Sequence, residues 1–122
     1  MRLNEVLERF SLISGLEGEE LSRYAPLCID AISGIKSRVP KLDALGFEDM
    51  RRLVNCAAAL AFYKYTLYAP EGLAESFDTG SLSVKMSKSP QERARLILTQ
   101  ELRNAEDIVC FDDDFVFKGV AV

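Results

Sequence analysis

Apolar residues recur at helical spacing through most of this chain, and the places where that rhythm breaks mark the elements. Leu3, Val6, Leu7, Phe10 and Ile13 alternate with charged residues and are followed by Gly15, which predicts a short amphipathic helix with a glycine stop. A second stripe, Leu21, Tyr24, Ala25, Cys28, Ile32, Ile35 and Val39, predicts a helix from about Gly18 to Arg38, with Glu19 and Glu20 at its positive end. Pro26 interrupts that stripe, so the helix either kinks there or restarts with the proline in its first turn. Pro40 closes the segment, because the residue before a proline is pushed out of the α region.

The pattern then changes character. From Leu53 to Tyr63 the only strongly polar side chain is Asn55, so a helix spanning 46–69 must be covered on nearly every side. At 1.5 Å per residue it runs for about 34 Å, long enough for every other segment to pack along it. Ala57, Ala58, Ala59 and Ala61 admit close neighbours, and Phe62, Tyr63, Tyr65 and Tyr68 fill a wider end. Pro70 and Gly72 end it in a loop over 70–80.

Residues 81–87 are the one stretch of period two, placing Leu82, Val84 and Met86 on one side of an extended strand with Lys85 and the serines on the other. Such a strand needs a partner, either the tail around 115–118 as a hairpin or a neighbouring subunit. Ser89, Pro90 and Glu92 form a capping signature, and the stripe Ala94, Ile97, Leu98, Leu102, Ala105, Ile108 and Val109 carries the helix they start to near Cys110. A tail, 111–122, follows. The predicted fold is all-α: one domain of 1–122, a small bundle of about four helices around the central one, with a short extended piece near 80–87.

A chain of 122 residues buries enough surface to fold without staples. Its three cysteines, Cys28, Cys56 and Cys110, are odd in number and set among apolar neighbours, which predicts buried thiols rather than a disulfide framework or a zinc site. The net charge of −4 argues against a protein whose main work is holding nucleic acid. There is no histidine, so the commonest general base and the commonest transition-metal ligand are missing. Charges within the first ten residues argue against a secretory leader, and the most apolar window is too short and too interrupted for a membrane span. The chain therefore reads as a soluble protein made in the cytoplasm.

Asp112, Asp113 and Asp114 invite a divalent metal, yet adjacent residues point in different directions and the spaced ligand pattern of a calcium loop is absent, so a solvated turn is the expected reading. With Asp107 they crowd the negative end of the last helix, which calls for basic groups nearby. Lys85, Lys88, Arg93 and Arg95 form a basic run that, without interleaved aromatics, reads as a solvated patch or one facing an acidic partner rather than a phosphate backbone, and Arg51 and Arg52 read as a solvated face. No serine or cysteine has a base partner at a catalytic spacing, so neither an enzyme nor a cofactor is expected.

The order of these pieces resembles the small head-tail connector (adaptor) proteins of tailed bacteriophages and prophages. The segment ELSRYAPLCIDAI from Glu20 to Ile32 is similar to their E-L-x-x-L-x-x-x-A-x-x-x-I helix, AAALAFYKY to their alanine-rich, tyrosine-ended central helix, and GSLSVKMS to the extended piece before their last helix. The chain departs from that pattern at Pro26 and in the Phe111–Phe117 tail. The resemblance implies a helical subunit of a ring beneath the portal vertex, made in the bacterial cytoplasm and ending in the virion, with portal and tail proteins as partners. Leu82, Val84 and Met86 are then the expected subunit contacts, and Asp112, Asp113 and Asp114 would face Lys85, Lys88 and Arg93 of a neighbour. The alternatives are a helical nucleic-acid-binding regulator and another non-enzymatic interaction module.

Overall fold

The computed structural model describes residues 1–68 and 89–110. They form five α-helices and one 3-10 turn: α1 (Leu3–Ser14), α2 (Gly18–Arg23), α3 (Ala25–Lys36), the turn Leu42–Ala44, α4 (Phe47–Tyr68) and α5 (Pro90–Asn104). The all-α bundle expected from the periodicity is what the described residues build. The extended segment expected at 80–87, and its pairing candidate at 115–118, lie outside them.

α1 stops where the chain turns left-handed at Gly15, with φ of 81°, and the Gly15 amide donates to the Ser11 carbonyl at 2.8 Å. A Cβ there would be strained whatever the space around it. Pro26 resolves as a restart. Tyr24 ends α2 and also begins α3, so the proline sits in the first turn of a new helix, where its missing amide costs nothing. α3 ends at Lys36, two residues before the predicted stop, yet turn hydrogen bonds at Arg38 and Val39 keep Val39 in the core.

α4 is the axis. It packs against α1, α3 and α5, and every residue from Cys56 to Tyr63 is buried. A Cβ at Gly34 of α3 would meet the Leu60 side chain at 3.8 Å while Tyr24 at the other end of α3 meets Tyr65, so α3 and α4 run antiparallel. α5 is antiparallel to α4 as well, because the Cys56 thiol donates to the Glu101 carbonyl at 3.2 Å and Arg52 reaches Asn104. At the far end Tyr65 meets Phe10 edge to face at 6.1 Å and Tyr24 at 4.7 Å, bringing α1 and the α2–α3 junction to the C-terminal end of α4.

α5 begins as the capping signature requires. Ser89 Oγ accepts from the Glu92 amide at 3.1 Å and Glu92 accepts from the Ser89 amide at 3.3 Å. The helix ends at Asn104, short of the predicted Cys110. A tight turn takes over, with the Ile108 and Val109 amides both donating to the Ala105 carbonyl at 2.9 Å. That turn keeps Val109 buried, and the Cys110 amide then ties to the Arg38 carbonyl at 2.7 Å.

Candidate functional site

Arg52 makes four hydrogen bonds, to three different residues. It stands one turn into α4, and its guanidinium grips both carboxylate oxygens of Asp107, at 2.7 and 3.0 Å, donates to the Asn104 carbonyl at 2.8 Å, and pairs with Asp49. The grip holds the Asp107 carboxyl below its ordinary value, chiefly through the hydrogen bonds from Arg52. Those bonds in turn raise the Arg52 pKa further. The expectation of a solvated face thus holds for Arg51, which is exposed, and fails for Arg52. Arg52 also answers the crowding of negative charge at the end of α5: the cation comes from the chain's own central helix.

The sulfur groups divide. Cys28 and Cys56 are fully buried, and burial pushes both thiols up to about 12, so neither is a thiolate at neutral pH. Cys110 is exposed, contrary to the expectation for all three, because the final turn carries it past Val109 and out of the core. Tyr63 and Tyr65 are core residues, whereas Tyr68 is 68% exposed. Burial raises the Tyr65 pKa, with Tyr24 and Glu20 adding to it.

Of the contact residues expected from the sequence, only Arg93 falls among the described residues, exposed in the first turn of α5. Leu82, Val84, Met86, Lys85 and Lys88 lie outside the described residues, as do Asp112, Asp113 and Asp114. Among the described residues no group of three or more histidine, cysteine, aspartate or glutamate side chains is placed to hold a metal. No described helix is long and apolar enough to cross a membrane.

What the bundle does present is apolar surface at both ends of its axis. Phe47, the first residue of α4, is 77% exposed. Arg51 lies one turn later on the same face, exposed and without an ion pair to any described residue. At the opposite end α1 and α2 form an open groove of about 470 Å³, lined by Asn4, Leu7, Glu8, Ser11 and Leu12 of α1 and Leu21 of α2. Leu12 is 76% exposed on its rim. Ser11 has already donated its hydroxyl to the Leu16 carbonyl at 2.6 Å, which leaves Glu8 as the charged group of the groove. The helical stripes of the sequence include Leu7 and Leu21 but not Leu12 or Phe47. The available signal was a leucine, Leu12, out of phase with the α1 stripe and a phenylalanine ahead of the α4 core. Set against known proteins, the chain matches no family model, no curated protein and no solved structure.

Proposed function

We propose that this protein is a non-enzymatic assembly subunit of the head-tail connector kind, a helical protomer that joins copies of itself into a ring between a phage portal and the tail. The observation that carries the reading is the placement of two unlike apolar surfaces at opposite ends of α4, Phe47 at its start and the Leu7–Leu12–Leu21 groove beside its end. Unlike surfaces on one subunit suit head-to-tail contacts, which close into a ring when the rotation permits. The sequence resemblance supplies the setting, with portal and tail proteins as neighbours. The nucleic-acid alternative, which would put either Arg51 and Arg52 or the basic run of Lys85, Lys88, Arg93 and Arg95 on DNA, loses support on its first surface because Arg52 is engaged with Asp107 and Asn104.

The test is co-expression with the products of the flanking genes, followed by negative-stain microscopy and mass determination of what co-purifies. Rings that dock onto a portal protein are the expected result. A chain that stays monomeric and binds none of its genomic neighbours, or that binds duplex DNA with steep salt dependence, overturns the reading.

A further inference from the structure

We propose that residues 106–110 form a strap that opens and closes on the bundle as a unit, without unfolding the helices, and that the Arg52 guanidinium is the latch that holds it shut. The proposal stands apart from the assembly reading above.

The strap is thinly held for its length. α5 ends at Asn104, and Ala105, fully buried, is the last residue sunk beneath it before the chain enters the turn. Of the five residues that follow, Glu106, Asp107 and Cys110 are exposed, Ile108 is half-buried and Val109 is buried. Ordering five residues around one buried side chain recovers little hydrophobic free energy against the conformational entropy given up. Segments of that kind, with few apolar contacts, open ahead of global unfolding. Polar ties reach from the strap to the Arg38 carbonyl, through the Cys110 amide at 2.7 Å, and to Arg52, which grips both oxygens of Asp107. Both members of that ion pair reach water, with side chains 33% and 63% exposed for Arg52 and Asp107. Opening it strands no buried charge, the penalty that keeps a buried pair closed. Arg52 meanwhile keeps Asp49 on its own helix and the Asn104 carbonyl at the end of α5, so the guanidinium stays in place for reclosure. α5 has supports of its own: the Ser89–Glu92 cap at its start, fully buried Leu98 and Leu102, and the Glu101 carbonyl accepting from the Cys56 thiol. The strap therefore swings about Ala105 and uncovers the site that Val109 fills.

Amide hydrogen exchange of the full chain, read residue by residue by NMR, tests this. In the unaltered protein the Val109 and Cys110 amides, bonded to the Ala105 and Arg38 carbonyls, should be about tenfold or more less protected than Leu60 in α4 and Leu98 in α5. Low denaturant should speed exchange at Leu60 and leave Val109 and Cys110 nearly unchanged, because the strap exposes little surface when it opens. Arg52→Met and Asp107→Asn remove the latch from either side, and each should speed Val109 and Cys110 by about tenfold while they remain less protected than Leu60. Protection and denaturant dependence at Val109 and Cys110 equal to those at Leu60 would mean that the segment opens only with the whole bundle, and the strap is overturned. Exchange at the two amides unchanged in both variants would overturn Arg52 as its latch.

Discussion

Arg52 and Asp107 are separated by fifty-four intervening residues, yet their side chains form a two-pronged ion pair that also closes the negative end of α5. The Asp107 carboxyl ionises more readily folded than unfolded, so its contribution to stability is complete above the ordinary carboxylate range and is lost as pH falls through the lowered folded value. Denaturant midpoints of the parent and Arg52→Met should therefore differ at pH 7, still differ in the ordinary aspartate range, and converge only once the pH falls below the lowered Asp107 value. A gap that persists below that value would mean Arg52 acts through packing alone. Thiol chemistry gives a second residue-level check. Cys110 should react with a disulfide reagent in the native state, while Cys28 and Cys56 should wait for unfolding, since each is buried and held as a thiol. Ser89→Ala removes an N-cap acceptor and should cost about 1 kcal/mol in equilibrium unfolding. That cap was legible because its three members lie within four residues. The Arg52 clamp was not, because nothing local distinguishes it from Arg51.

At the scale of the element, α4 explains why its sequence is so poor in large side chains over 57–61. Ala57, Ala58, Ala59 and Ala61 are all fully buried, so neighbouring helices come close on several sides of one helix. Enlarging one of them, as in Ala58→Leu, should destabilise the protein by about 1–3 kcal/mol through overpacking, although the same change raises apolar content. A thermal or denaturant series that found Ala58→Leu neutral would show unfilled space beside α4. The α2–α3 break illustrates the opposite balance. Pro26 and the hydrophobic stripe allowed either a kink or a restart, and the restart at Tyr24 places that ring against Tyr65. Among the buried residues of α3, Ala31 takes a core position beside the expected Cys28 and Ile35, while Ile32 is only half-buried. Ala31 and Ile32 follow Cys28 by three and four residues in the same helix, so both border one stripe and only tertiary packing decides between them.

For the whole molecule, the distribution of apolar surface matters more than its amount. Scattered exposed side chains such as Ile29 and Leu96 need no explanation in a small bundle. Phe47 and Leu12 differ because one is a knob and the other borders a groove at the far end of the axis. Burying each side chain against a partner is worth about 2 kcal/mol, a modest sum beside the cost of bringing two molecules together.

Local rules determined most of the elements: the start of α5 from Ser89 and Glu92, the end of α1 from Gly15, and the burial of α4 from a run of residues too apolar to face water. Each of those signals spans a few turns of chain, where hydrogen bonding and hydrophobic period act on neighbours. The tertiary structure alone decided that α3 and α5 lie antiparallel to α4, that Arg52 and not Arg51 is committed, that Cys110 escapes the core, and that Leu12 and Leu21 frame one groove. Those outcomes depend on which distant segments meet, and side chains brought together by packing leave no spacing in the sequence by which to recognise them.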